Sequence, residues 1–290
     1  MSDPSSPPRP RPPELAAADD PRVAAFRRLL GIVDRLRDPD GCPWDLEQTE
    51  ATMAPCAVEE AHELAEAIEE GDPVEEAAEA GDVLLTVLLI CRIAEQGGRY
   101  DLAQAAETCA EKLIRRHPHV FGGGHAADSG EVLGNWEAIK KAERAAKGQD
   151  TSALAGIPRG MPALLRAMRV SAKAVTAGFR WRDVEGALAK VREEARELVE
   201  VLPEEALRSV GTPDLPQETW ARIDHELGDL LMSGAFLASY LGRDPESLCR
   251  QATRRFEQRF RRLETSLSGD LQRDLDELEA AWSQVKQELA

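Results

Sequence analysis

The chain has 290 residues, with 36 lysines and arginines against 53 aspartates and glutamates and a formal net charge of −17. This acidic balance argues against a general nucleic-acid binder or a membrane-surface binder, because both need a basic surface. It leaves room for a phosphorylated substrate, provided that local basic residues or a metal ion offset the repulsion. A hydrophobic share of 42% is too high for a wholly disordered chain, and the length predicts about two domains.

Taken in chain order, the sequence begins with a proline-rich tail over residues 1–20, which we expect to be disordered. Helical patterns of apolar residues start at Pro21 and continue through about 55–70, 74–96, 101–116 and 130–146. Glycines and a proline within 147–160 predict a linker. A second set of helical patterns covers about 161–177, 184–201, 217–240, 245–266 and 271–289. The sequence therefore predicts an all-α protein with helical domains at 21–146 and 161–290.

The five cysteines are scattered, odd in number and contain no C-x-x-C pair. This usage is typical of reduced thiols in a cytosol rather than of a disulfide framework. The strongest apolar run, residues 83–93, is too short to span a bilayer. We therefore expect a soluble cytoplasmic protein, with no membrane partner and no nucleic-acid partner.

The two halves repeat several short motifs in the same order. EEAHE at 59–63 matches EEARE at 193–197, and EAGDVLL at 79–85 matches ELGDLLM at 226–232. GCPWD at 41–45 is loosely matched by GFRWRD at 178–183. These matches predict two tandem repeats of one helical-bundle unit.

Carboxylates recur at helical spacing within each repeat. Glu60 and Glu63 are spaced i, i+3 on one predicted helix, and Glu79 and Asp82 repeat the spacing on the next. A short turn between them makes the helices antiparallel neighbours, so the four carboxylates would converge. Buried like charges repel unless a cation is present. Oxygen-only ligation is typical of Mg²⁺ or Mn²⁺ rather than Zn²⁺.

The second repeat carries the same set, and its members are Glu194, Glu197, Glu226 and Asp229. A solvated acidic helix face is the alternative for any single pair. Against it, Asp82 and Asp229 stand at the head of apolar runs, where a solvated charge is out of place. Glu59 and Glu193 adjoin the two sets; each could complete the metal site, orient a water or be a surface acid.

Basic and aromatic side chains form a second repeated pattern. Arg255 and Arg259 share a helix face, and arginine suits bidentate phosphate contacts. Trp282 and Lys286 also share a face, so that an indole could stack on a base while the ammonium reaches a phosphate. Core packing of the tryptophan is the alternative. The first-half counterparts are Lys112, Arg116, Trp136 and Lys140.

Other nucleotide and metal patterns are absent or weak. There is no G-x-x-x-x-G-K-[ST] loop, which argues against a P-loop NTPase. A di-iron carboxylate bundle needs two E-x-x-H motifs, but Arg196 stands where the second histidine would be. That interpretation is therefore a poor alternative.

Several separate motifs resemble the MazG-type nucleoside triphosphate pyrophosphohydrolases. They are the two E-E-x-x-E … E-x-x-D sets, RLRDPDGCPWDLEQT at 35–49 and KLIRRHPHVF at 112–121, and they occur in the family's order. The resemblance runs from about residue 22 to the C-terminus. It implies an all-α fold, usually a homodimer, and Mg²⁺-dependent hydrolysis of nucleoside triphosphates to a monophosphate and pyrophosphate.

The resemblance also implies roles for individual residues. The two carboxylate quartets match the family's metal ligands. Nucleotide and phosphate binding falls on Lys190, Glu193, Arg222, Arg255, Arg259, Trp282 and Lys286. There are departures: Arg222 and Arg255 stand where lysine is familiar, and Cys56 occupies the first-half position equivalent to Lys190. We therefore predict that the second half is the stronger catalyst and that the first is weaker, selective or structural.

A hypothesis from another class is a non-catalytic helical module that senses nucleotides or docks a partner protein. Two intact quartets argue against it, because a pure scaffold has no reason to keep so many converging acids. Binding of nucleotide without turnover would favour it.

Overall fold

The computed structural model describes residues 14–208 and 211–289, and within these ranges the chain is helical and contains no strand. The helices are α1 (Pro21–Leu36), α2 (Pro43–Glu47), α3 (Glu50–Glu70), α4 (Pro73–Gln96), α5 (Leu102–Arg116), α6 (Pro118–Phe121), α7 (Ser129–Ala146), α8 (Ala163–Thr176), α9 (Val184–Val201), α10 (Glu204–Arg208), α11 (Gln217–Tyr240), α12 (Pro245–Ser266) and α13 (Leu275–Glu288). The all-α prediction is confirmed.

The chain divides into two compact units, Met1–Glu143 and Arg144–Ala290. The division lies inside α7, three residues before the predicted end of the first domain at 146. The segment predicted as a linker, 147–160, contains no helix, but it buries Ala155, whose carbonyl accepts a hydrogen bond from Arg144. Of the predicted tail, residues 1–13 lie outside the described residues. The origin of the two units from one repeat stays a prediction.

In the first unit, α3 and α4 form the principal helix pair. Gly71 ends α3 in the left-handed conformation, with φ of 76°, and Asp72 caps α4 by accepting hydrogen bonds from the next turn. Because this turn is so short, the two helices run antiparallel, as the sequence predicts. Their apolar faces, with α1, enclose a core that contains Val33, Met53, Leu88, Leu89 and Ile93.

Arg37 fixes the segment around α2 to the end of α4. Its side chain is buried and donates to the side chain of Gln96 and to the backbone carbonyls of Asp45 and Gln48. A buried guanidinium with several acceptors positions the chain on both sides of it. This anchor lies within the 35–49 motif, which the sequence singled out without giving its role.

In the second unit, α11 packs most extensively on α9 and also on α8, while α13 packs on α12. Small or apolar side chains fill the contacts, and Ala187, Ile223 and Ala235 are buried. The hydroxyl of Tyr240 donates to the carbonyl of Trp181 at 2.7 Å. This bond holds the loop before α9 against the end of α11.

The apolar run at 83–93 lies within α4 and supplies part of the first unit's core. Among the described residues, no helix is both long enough and apolar enough to cross a bilayer. The short helix α10 was not predicted; it occupies part of the connection between α9 and α11.

Candidate active site

The first unit brings together three of its four predicted carboxylates. Oxygen atoms of Glu60, Glu79 and Asp82 all lie within 4.8 Å of one another. Glu60 comes from α3 and the other two from α4, so the antiparallel helix pair creates the cluster. Glu63 is exposed and lies outside this group. We call these three residues the first cluster.

Mutual repulsion and loss of solvent act on the first cluster. Desolvation, followed by the charges of Asp82 and Glu63, raises the pKa of Glu60. Desolvation and the neighbouring carboxylates also raise the pKa of Glu79. Oε2 of Glu79 is buried and has no hydrogen-bond partner among the described residues. These three carboxylates, one of them with an oxygen that has no hydrogen-bond partner among the described residues, could hold a cation.

The second unit forms an equivalent second cluster from Glu194, Glu197 and Glu226, again with oxygens within 4.8 Å of one another. Glu194 is only 4% exposed, and α9 and α11 hold the three side chains. Desolvation and the charge of Glu194 raise the pKa of Glu197. Asp229 lies outside the cluster; its carboxylate is 3.5 Å from Nε2 of His225 on the same helix.

Lys190 distinguishes the second cluster from the first. Its ammonium lies 2.6 Å from Oε1 of Glu194 and 3.0 Å from Oε1 of Glu193. These two carboxylates raise the pKa of Lys190, so the lysine is charged. In the first unit, Cys56 occupies the position expected from the repeat; its thiol donates to the carbonyl of Thr52, and the residue packs against the core. As predicted, the first cluster has no equivalent cation.

An aromatic pocket adjoins the second cluster. The cavity of about 380 Å³ is lined by Trp181, Phe236, Phe179, Met232, Lys190 and Glu194, among others. The indole of Trp181 lies edge-on to Phe236, with a centroid distance of 6.2 Å. The pocket therefore has an apolar aromatic wall and shares Glu194 with the second cluster. Sequence reasoning missed it, although the repeated motif at 178–183 already contained Trp181.

Trp282 lies elsewhere in the second unit. Its ring packs against Phe256 at 5.3 Å, beside an apolar cavity of about 300 Å³ that also contacts Phe260 and Leu263. These contacts are the ones expected if Trp282 packs in the core instead of stacking on a base. Base stacking by Trp282 stays a prediction. Phosphate binding by Lys286, which is exposed on the same helix, also stays a prediction.

Three arginines predicted to bind phosphate lie on α11 and α12. Arg222 is exposed and stands one helical turn before Glu226. Arg255 is exposed and Arg259 is half-buried. Neither of these two forms an ion pair with another described residue, so both guanidinium groups remain available to an anion.

In the first unit, three of the four corresponding groups already have partners. Arg116 and Arg115 both hold the carboxylate of Glu143 at 2.6 Å, and Arg116 is the main cause that lowers the pKa of Glu143 to about 2. The Lys140 ammonium lies 5.4 Å from the ring centroid of Trp136. Lys112, on α5, forms no ion pair with a described residue.

Both clusters suit a divalent cation. Each offers three carboxylates and no nitrogen or sulfur ligand. Hard, oxygen-preferring cations match such donors, and each bound cation would remove the repulsion that raises the carboxylate pKa values.

Comparison with known proteins supports a nucleotide-hydrolysing family. Residues 48–121 match the MazG nucleotide pyrophosphohydrolase domain, and this range includes the first cluster. The chain is 40% identical over 266 residues to a nucleoside triphosphate pyrophosphohydrolase of Escherichia coli, covering 90% of this chain and 97% of the relative. It is 37% identical over 266 residues to the nucleoside triphosphate pyrophosphohydrolase/pyrophosphatase MazG of Thermotoga maritima, covering 90% and 95% respectively.

A third relative, the nucleoside triphosphate pyrophosphohydrolase of Mycobacterium tuberculosis, is 32% identical over 167 residues, which cover 57% of this chain and 49% of the relative. The Escherichia and Thermotoga proteins are matched along nearly their whole length, through both units and both clusters. The chain therefore belongs to the MazG family of nucleoside triphosphate pyrophosphohydrolases.

Proposed function

We propose that the chain hydrolyses nucleoside triphosphates to a nucleoside monophosphate and pyrophosphate, with Mg²⁺ or Mn²⁺ as the cation, and that the second unit is the stronger catalyst. One observation carries the assignment to this unit. Glu194 belongs to the second cluster, Lys190 forms an ion pair with it, and both side chains line the aromatic pocket. Base recognition and phosphate chemistry therefore meet at the same two side chains.

The aromatic pocket is suited to a nucleobase. Trp181 and Phe236 offer ring faces and edges on which any base can stack, and stacking tolerates different bases. The cavity of about 380 Å³ has the size of a small-ligand site. A base held there places its phosphates towards Glu194.

Basic side chains would take the phosphates in a chain that is otherwise strongly acidic. Lys190 lines the pocket, and Arg222 stands one turn from Glu226. Arg255 and Arg259 have no ion-pair partner among the described residues. Bidentate guanidinium contacts would offset the repulsion between the triphosphate and the protein.

The chemistry follows from the second cluster. Glu194, Glu197 and Glu226 would hold the cation, with Asp229 as the fourth predicted ligand. When bound, the cation would neutralise phosphate charge and make a water more acidic. Glu193, beside Lys190, would orient that water for attack on the α-phosphorus. The bond from this phosphorus to the bridging oxygen breaks, pyrophosphate leaves with the electron pair, and one proton is released.

The first unit lacks two of these features. Cys56 stands where the second unit has a lysine, and the guanidinium of Arg116 is already paired with the carboxylate of Glu143. These contacts support a weaker, selective or structural role for Glu60, Glu63, Glu79 and Asp82. A homodimer and a cytoplasmic location are also parts of the proposal; reduced cysteines support the second.

Product analysis tests the reaction class. Purified protein is incubated with a panel of nucleoside and deoxynucleoside triphosphates, with Mg²⁺ and with a chelator. We expect monophosphate and pyrophosphate that disappear with the chelator. Diphosphate and phosphate would mean that another phosphorus is attacked. Tight nucleotide binding without turnover would favour the sensing or docking module instead.

A further inference from the structure

The two carboxylate clusters differ in how their charge is balanced. Each brings three carboxylates within 4.8 Å, and each is held by two packed helices. In the second cluster, the Lys190 ammonium bonds directly to Glu194, the most buried of the three acids. In the first cluster, no member forms an ion pair with a described residue, and Oε2 of Glu79 has no hydrogen-bond partner among them.

Lys190 and a bound metal ion would compete for the carboxylate of Glu194. An ammonium at 2.6 Å from Oε1 of Glu194 satisfies this oxygen and offsets one of the three negative charges. A divalent cation that binds the same carboxylate is repelled by the ammonium and competes with it for this oxygen. The first cluster has no ammonium to displace, because Cys56 stands at the position equivalent to Lys190 and its thiol contacts the Thr52 carbonyl.

We propose that Lys190 is an internal counter-ion that makes the second cluster a weaker site for a free divalent cation than the first. The inference rests on the proposed function only in that both clusters bind such a cation. The first cluster is then filled at low cation concentration, as a resident site. The second cluster takes its cation together with the triphosphate, whose phosphates give the displaced ammonium a new partner.

Lys190 would thereby couple cation loading to substrate binding. Without substrate, the lysine stabilises the carboxylate of Glu194 and lowers the affinity of the second cluster for free divalent cations. With substrate, the same ammonium moves from a carboxylate to a phosphate, so no charge is left unpaired in the pocket. Its side chain is 39% exposed, which leaves room for this movement.

Binding of Mn²⁺ alone to the full chain tests the inference, with free Mn²⁺ measured by electron paramagnetic resonance and no nucleotide present. We expect two classes of site, and Glu60→Gln should abolish the tight one. Lys190→Gln should tighten the weak class by about tenfold, because one adjacent positive charge is removed. Cys56→Lys should weaken the tight class. Arg192→Gln is the matched control, because Arg192 lies on the same helix but pairs with Glu185.

A second measurement guards against misfolding. Without a cation, Lys190→Gln should melt at a lower temperature than the parent, and Mn²⁺ should raise its melting temperature by more. If Mn²⁺ binds but Lys190→Gln leaves both affinity classes unchanged, the inference is wrong while the proposed function stands. If no variant and no parent chain binds Mn²⁺, the cation assignment in the proposed function fails and the inference fails with it.

Discussion

Replacement of Trp181 by alanine removes one wall of the aromatic pocket. The indole lies 6.2 Å from the Phe236 ring and 6.1 Å from the Tyr240 ring, and it borders the cavity beside Lys190. Base-to-aromatic stacking contributes about 1–3 kcal/mol per base. Since about 1.4 kcal/mol is tenfold, KM for a nucleoside triphosphate should rise about 5- to 150-fold. Because the carboxylates stay in place, kcat should change much less.

Steady-state kinetics with pyrophosphate detection measure this effect. Trp181→Phe should keep most of the affinity, because a phenyl ring still offers a stacking face. Trp44→Ala is the matched control: Trp44 occupies the loosely equivalent motif of the first unit and is 57% exposed. An unchanged KM in a folded Trp181→Ala protein would refute the assignment of the pocket to the base.

Three further predictions concern stability. The pKa of Glu143 falls to about 2 beside Arg116, so this pair stabilises the fold above about pH 4.5 and the contribution disappears as the pH falls towards 2. The shift alone would correspond to about 3 kcal/mol, and partial exposure reduces this to about 1–2 kcal/mol. Denaturation of Glu143→Gln should show the full loss at pH 7 and less than about half of it at pH 3, because Glu143 is still largely ionised in the folded protein at pH 3. Arg37→Met leaves the Gln96 side chain and backbone carbonyls without a donor. It should lower the free energy of unfolding by about 2–3 kcal/mol. A loss below about 0.5 kcal/mol would contradict the anchoring role described for Arg37. At Gly41 a Cβ would lie 2.3 Å from the Leu36 carbonyl oxygen, so Gly41→Ala should lower the melting temperature; Gly31→Ala, where a Cβ meets nothing within 4 Å, is the control.

The fold and most of the carboxylates could be predicted because both follow from helical periodicity. The i, i+3 spacing places Glu60 and Glu63 on one face, and the short turn at Gly71 brings α4 alongside. Spacing is less informative about which acid enters the cluster. Two residues three apart point about 60° away from each other around the helix. Glu60 belongs to the first cluster while Glu63 remains exposed, yet Glu194 and Glu197, at the same spacing, both belong to the second cluster.

Asp229 illustrates this limit, because it lies outside the second cluster while Glu226 lies inside, whereas Glu79 and Asp82, at the same spacing, both belong to the first cluster. The aromatic pocket could not be predicted from spacing at all. Trp181 comes from a loop and Phe236 from near the C-terminal end of α11, and only tertiary packing brings them together. For Trp282 the spacing was ambiguous, because a tryptophan at helical spacing can equally well pack in a core or lie on a binding face. The structure packs its ring against Phe256.

The matched pair Glu226→Gln and Glu79→Gln tests the central claim, that the second cluster is the stronger catalytic centre. Both glutamates begin the repeated E-x-G-D motif, and both belong to a carboxylate cluster. Release of monophosphate and pyrophosphate is measured for each variant at saturating Mg²⁺. We predict a loss of at least about 100-fold for Glu226→Gln, the size expected when a main charge-stabilising contact is removed, and a much smaller loss for Glu79→Gln. A large loss in Glu79→Gln with nearly full activity in Glu226→Gln would contradict the account.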